Sequence, residues 1–348
     1  MLLTAALALP MDGRGPIPDA AVLIDGGHIV AAGPRAAIEA RPDAAEHERR
    51  DWPDAVILPG LVNAHTHLEY THLGPLTAPQ PFVPWIRGLV RWAADRSPED
   101  WLASARDGAA RSLRGGVTCL GEIVTRGQGL EALVEAGLHG VAYVELIEGQ
   151  ADTMPARLTR FEALVERAEA SAAVGDRGLR TGLSPHAPYS LTGATIGAVA
   201  RRAHAAGMPL AMHLAETPAE VALLWDGTGE IAELLRMGGP DGGPREPYRE
   251  GGHRLSPLAY VAAQGLFAPG GPTLLIHAVH LDADDIAAIG QHGVAVALCP
   301  RSNALLDCGE APVAALMDAG VTLGVGTDSL GSNRDLDLFA ELRALADR

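Results

Sequence analysis

Eight short apolar stretches follow one another from residue 55 onward, with amphipathic segments between them. That alternation predicts an α/β chain built as a (β/α)8 TIM barrel behind a small N-terminal β-unit. Two further observations favour closure over an open sheet. Histidines and acids recur at the carboxyl ends of the stretches, the face on which barrel enzymes do chemistry. The Gly-rich phosphate turn that an open doubly wound sheet would need is not found. At 348 residues the chain is long for one layered domain and ordinary for a barrel with an appendage.

Residues 1–10 are apolar, lack a basic n-region and are too short to span a bilayer, so they read as a strand. Residues 20–33 read as strand, Gly-rich turn, strand. The expected domains are therefore 1–57, the small β domain, and 58–348, the barrel. The apolar run 55–63 reads as one buried strand ending in the polar rim His65-Thr66-His67. The remaining strands are expected over 117–121, 140–146, 180–184, 209–213, 273–277, 294–298 and 321–326. Segments 158–173, 193–206, 282–290 and 311–319 have helical amphipathicity. The Gly- and Pro-rich stretch 237–253 reads as a loop after the fifth strand, either a lid over the barrel mouth or a plain surface loop. Residues 336–342 supply the eighth helix.

The formal charge of −16 argues against nucleic acid or an anionic membrane as partner, leaving a small-molecule substrate and possible self-association. Arginine carries all the positive charge, because this chain contains no lysine. Schiff-base chemistry, a P-loop and a carboxylated lysine bridging two metals are thereby excluded. Cys119, Cys299 and Cys308 form no C-x-x-C pair and read as reduced thiols of a cytoplasmic protein.

The strand ends hold the chemistry. Residues i and i+2 of a strand share a face about 6–7 Å apart, so His65 and His67 can converge on one ion. The fourth strand runs into His186, the fifth ends in His213 and Glu216, the sixth in His277 and the eighth in Asp328. Each alone has a plainer reading: His213 as a core histidine, Asp328 as a turn or cap residue, Glu216 as an exposed carboxylate. Together, His65, His67, His213 and Asp328 make three imidazoles and a carboxylate, a set suited to one divalent metal, Zn2+ or Fe2+. His72, His280 and His292 lack such placement.

This order of motifs resembles the amidohydrolase superfamily, in its mononuclear branch of aminohydrolases and chlorohydrolases, which includes adenosine, guanine and S-adenosylhomocysteine deaminases. The resemblance rests on 59–69, 184–190, 299–303 and 326–329 and covers nearly the whole chain. It implies one metal held by His65, His67, His213 and Asp328. It further implies a proton-shuttling Asp328, a His277 that orients the nucleophile, a Glu216 that protonates a purine ring nitrogen, and a His186 that contacts a ribose hydroxyl. Segments 81–86 and 213–229 look like the 6-aminodeoxyfutalosine deaminase group of menaquinone synthesis. Such a substrate carries a benzoate, for which Arg87, Arg126, Arg245 and Arg249 are candidate partners. Phe82, Trp85 and Trp92 are candidates for stacking on its rings or for plain core packing. The alternatives are a methylthioadenosine, S-adenosylhomocysteine, adenosine or guanine deaminase, a chlorohydrolase or cyclic amidase, and a non-catalytic nucleoside-binding barrel. Related chains continue past the eighth strand with a tail that completes the small β-unit, a segment expected to be missing here.

Overall fold

The computed structural model describes residues 1–147, 154–173, 178–236 and 244–346. They form two compact units, Met1–Leu61 and Val62–Arg348. The first unit is a four-stranded sheet of β1 (Leu2–Ala8), β2 (Ile17–Asp25), β3 (His28–Pro34) and β4 (Arg49–Ile57), in the order β3-β2-β1-β4. Gly26 and Gly27 turn β2 into β3 with φ of 54° and 82°, values that glycine adopts without steric cost. Leu2, Ala21, Leu23 and Ile38 form its core.

The second unit is the expected barrel. Its strands are β5 (Leu61–Thr66), β6 (Val117–Val124), β7 (His139–Leu146), β8 (Leu179–Pro185), β9 (Leu210–Leu214), β10 (Thr273–His277), β11 (Ala295–Leu298) and β12 (Leu323–Val325). They lie side by side in chain order, and every pairing with a defined register is parallel. The first strand meets the last through a bridge between Thr66 and Asp328. Asn63 reinforces it, giving its amide to Thr327 Oγ1 at 2.8 Å and accepting the Thr327 N–H at 3.1 Å. Ile123, Tyr143, Ala211, Ile276, Ala297 and Cys299 pack together from strands or strand ends around the barrel. Gly121 is required where β6 passes β5, because a Cβ there would collide with the Ala64 carbonyl.

One expectation is corrected. The apolar run 55–63 is not one strand: β4 ends at Ile57 in the small sheet, and β5 begins at Leu61 in the barrel. Pro59 has no N–H to give a ladder, and the chain changes sheets across Leu58-Pro59-Gly60. Nor is the first part of the run buried, since Val56 is 46% exposed.

Helices fill the connections, among them Met154–Ala173, Gly193–Ala205, Ala283–His292 and Val313–Asp318, close to the expected segments. Their starts follow local chemistry. Asp282 accepts the Asp285 N–H and Asp285 answers with the Asp282 N–H, a reciprocal capping box. Helix Leu338–Ala346 follows β12, as the expected eighth helix. Of the expected loop, 237–243 lies outside the described residues, while 244–253 is irregular. Among the described residues, no helix is long and apolar enough to cross a membrane.

Candidate metal centre and active site

Five of the sequence-predicted side chains come from four strand ends and meet at the same end of the barrel. His65 lies in β5 and His67 just past it. His213 lies in β9, His277 closes β10 and Asp328 follows β12. The backbone bends sharply at this rim: Ala215, His277, Ala278 and Asp328 all take positive φ, between 50° and 70°. Non-glycine residues in that region cost about 1–3 kcal/mol each and persist only where surrounding contacts hold them.

The ring nitrogens face one another. His67 Nε2 is 3.2 Å from His213 Nε2, and Asp328 Oδ1 is 3.4 Å from His65 Nε2 and 3.7 Å from His67 Nε2. Donor atoms of His65, His67 and Asp328 fall within 4.8 Å of one another, and so do those of His65, His213 and His277. Both nitrogens of His65, and Nδ1 of His67, are buried without a hydrogen-bond partner. Orphaned buried imidazole nitrogens are expensive. A cation among them would give the His65 Nε2 lone pair a partner and sit between the facing Nε2 atoms of His67 and His213, so the residues present fit a divalent metal ion.

Neighbours fix how each group points. His213 Nδ1 donates to the His186 carbonyl at 3.1 Å, which leaves Nε2 as a lone pair. His277 Nδ1 meets Asn303 Oδ1 at 2.9 Å, an acceptor, so its Nε2 is also unprotonated. Asp328 Oδ2 accepts the hydroxyls of Ser302 (2.6 Å) and Ser332 (2.7 Å), and its Oδ1 accepts the Ser329 N–H at 2.8 Å. Glu216 Oε1 lies 3.5 Å from His277 Nε2. The turn that carries it is held by Glu220, whose carboxylate accepts the N–H groups of Ala215 (2.8 Å) and Glu216 (3.1 Å).

Electrostatics separate these groups. Burial, and secondarily neighbouring histidines, His65 beside His67 and His186 beside His213, pushes His67 and His213 well below the usual imidazole range. His186 and His277 fall to about 4, mainly through burial. Burial, aided by Asp328 and Glu220, holds the Glu216 carboxyl well above the carboxylate range. Burial would raise Asp328 too, but the adjoining His65, with His67 and His277, outweighs it and holds Asp328 well below that range.

A cavity of about 730 Å³ opens onto this cluster. Of the arginines considered as carboxylate partners, Arg126 and Arg245 line it and Arg87 and Arg249 do not. Sequence reasoning missed two others in its wall, Arg157 and Arg160, which helical spacing alone does not distinguish from solvent-facing residues. Phe82 and Trp85 line the cavity, whereas Trp92 packs on Trp101 at 5.1 Å between ring centres. Glu145, Ser302, Ser332 and Asn303 were also not given roles. Ser302 and Asn303 lie inside the 299–303 motif, which was the available signal.

A family model described as "Amidohydrolase family" matches residues 56–348. The chain belongs to the amidohydrolase family. The 5-methylthioadenosine/S-adenosylhomocysteine deaminase of Natronomonas pharaonis is 32% identical over 87% of this chain and 64% of its own length. The aminodeoxyfutalosine deaminase of Deinococcus radiodurans is 32% identical over 91% of this chain and 75% of its own. Among solved structures, a zinc-bound adenosine deaminase of Xanthomonas campestris superposes with a TM-score of 0.79 at 28% identity, covering 99% of this chain and 73% of the other. The amidohydrolase family and its barrel thus agree with the resemblance read from the motifs. The chain spans about two thirds to three quarters of the length of these relatives.

Proposed function

We propose that this amidohydrolase hydrolyses the exocyclic amine of an aminopurine nucleoside-like substrate, with one divalent cation held by His65, His67, His213 and Asp328. One observation carries the reading: two buried carboxyls, Glu216 and Asp328, stand against the same histidines in one cavity, and their surroundings push the first up and hold the second down. Deamination needs that split, an acid for the ring and a base for the water. A bound zinc or ferrous ion supplies Lewis acidity, which lowers the pKa of water from ~15.7 towards ~7.

The chain's own groups then divide the work. Glu216 gives its proton to a ring nitrogen of the purine, so that the neighbouring carbon becomes electrophilic, and regains one from the added hydroxyl as it becomes the product carbonyl. Asp328 Oδ1 takes a proton from the attacking water and returns it to the departing ammonia. Its other oxygen stays engaged with Ser302 and Ser332, which fixes the direction of transfer. His277 Nε2, held as a lone pair by Asn303, orients the water against the base.

For the substrate, 6-aminodeoxyfutalosine is the first reading. The support is the Deinococcus relative together with Arg126, Arg157, Arg160 and Arg245 in the cavity wall, which suit a benzoate. S-adenosylhomocysteine is the second, supported by the Natronomonas relative, and its carboxylate suits the same arginines. Ammonia release from 6-aminodeoxyfutalosine, S-adenosylhomocysteine, 5′-methylthioadenosine, adenosine and guanine, on metal-replete protein, tests both. Preference for the two carboxylate-bearing substrates is expected. Silence on all five with a stoichiometric metal present would remove the deaminase reading in favour of a chlorohydrolase or amidase on the same fold.

A further inference from the structure

Glu69 belongs to the 59–69 motif but has no part in the proposed chemistry. It follows closely on His67, is 1% exposed, and reaches across to the loop after β6. There its Oε1 accepts the N–H groups of Gly127 (2.9 Å) and Gly129 (3.0 Å), and its Oε2 accepts the Arg126 N–H at 3.0 Å. Helix Gln128–Ala136 begins at that point, so Glu69 supplies from a distant segment the acceptor that its first N–H groups lack. Glu122, near the end of β6, answers in the opposite direction and accepts the Leu68 N–H with both oxygens, at 3.0 and 3.1 Å. Gly129 lies so close to it that a Cβ would collide with Glu122 Oε1. Two buried carboxyls thus clasp the segment after His67 to the loop after β6.

The loop so held carries Arg126, which lines the cavity beside Thr125. Its guanidinium carbon stands 4.4 Å from the centre of the Trp101 ring. Stacking on an aromatic face leaves the in-plane N–H donors free for an anion. Trp101 belongs to helix Pro98–Arg114, and one turn further along that helix Ser104 donates its hydroxyl to the Glu69 carbonyl at 2.8 Å. Arg126 is therefore held at its backbone by the Glu69 carboxylate and at its guanidinium by a helix to which Glu69 is itself pinned. A long, unbranched side chain gains most from such fixing, because ordering its rotamers otherwise costs binding energy.

We infer that Glu69 is a positioning residue, which sets Arg126 in the cavity wall to receive an anionic group of the substrate. The inference rests on the reading of a carboxylate-bearing substrate and deepens it, by naming one arginine and the group that aims it. A plain helix cap would account for the contacts to Gly127 and Gly129. It does not account for the second oxygen, which goes to the residue before the cap, the one that lines the cavity. Glu69→Gln keeps one oxygen for Gly127 and Gly129 but sets an amide NH2 against the Arg126 N–H, so it loosens Arg126 first.

The test measures kcat and KM for S-adenosylhomocysteine and 6-aminodeoxyfutalosine, which bear a carboxylate, against adenosine, which does not. The proteins are metal-replete wild type, Glu69→Gln, Arg126→Ala, the double variant and Ser104→Ala. Arg126→Ala is expected to lower the preference for at least one carboxylate substrate over adenosine by about 10-fold or more, through KM. Glu69→Gln lowers that preference in the same way, by about 3-fold or more. The double variant loses no more than Arg126→Ala, since both changes act through one group. Ser104→Ala frees the Glu69 backbone and gives a smaller fall of the same sign. It carries the test if Glu69→Gln does not fold, and an unchanged preference there then overturns the inference. An equal loss on all three substrates in Glu69→Gln, losses that multiply in the double variant, or a preference that Arg126→Ala leaves unchanged also overturn it. If wild type releases ammonia from none of the three, the deaminase reading fails separately. Calorimetric binding of the same compounds then decides: a carboxylate preference that both single variants lower supports the inference, and equal affinities overturn it.

Discussion

Two sides of one cavity treat a buried carboxyl in opposite ways. On the β12–β5 side, Asp328 is surrounded by two serine hydroxyls, a backbone N–H and two imidazoles, and stays ionised far below its ordinary range. On the β7–β9 side, Glu145 has one hydroxyl donor and Glu216 has His277 Nε2 at 3.5 Å. There, burial raises Glu145 to about 8 and Glu216 well above the carboxylate range. Burial is similar on both sides, so the imidazoles beside Asp328 set it apart from Glu145 and Glu216. One rim thereby offers a base and an acid within a single site.

Breaking the ionised side has the largest expected effect. Asp328→Asn removes both the anionic ligand and the proton acceptor. Activity should fall by more than about 10⁴-fold, the upper range for proton transfer alone, and metal content measured by plasma emission should fall with it. Retention of full metal and activity would contradict the assignment. Breaking the protonated side is milder. Glu216→Gln keeps shape and metal content, and should lower kcat by about 10²–10⁴-fold. Equal loss of metal in this variant would show that Glu216 is a ligand and not an acid.

Ser302→Ala sharpens the comparison by withdrawing one donor from Asp328. A loss of about 10–100-fold in metal affinity or activity is expected, the usual range for groups that orient a ligand. Titration against a chromophoric chelator reads it directly.

The smallest effect concerns Glu341, a carboxyl away from the histidines. Burial raises Glu341 to about 7, although Asn333 Nδ2 (2.7 Å) and the Arg301 N–H (3.1 Å) partly offset this. Below about 4.5 both folded and unfolded chains hold this proton; between about 4.5 and 7 the folded chain binds it more tightly. Its contribution to stability therefore falls as pH rises through that window, by about 3 kcal/mol in all. Urea unfolding at roughly pH 5 and pH 8 should show a smaller difference for Glu341→Gln than for wild type. The same slope in both proteins would count against a raised Glu341.

Much of this was legible in the chain because period and spacing are local. The strands around His213 and His277 stand within a residue of their expected bounds, and both histidines line the cavity. The split of 55–63 was less visible, since an apolar run does not say which sheet will receive it. The supporting contacts were not visible either: Ser302 and Ser332 reach Asp328 from 26 residues before it and 4 residues after it.

The order of residues by itself determined the barrel, the small β-unit and the histidine–aspartate set, because hydrophobic period and strand-end position are written along the backbone. Only the folded chain decided how the surroundings of the two carboxyls differ and which arginines line the cavity. Those outcomes depend on burial and on donors brought from distant strands. Neither quantity exists until the barrel closes.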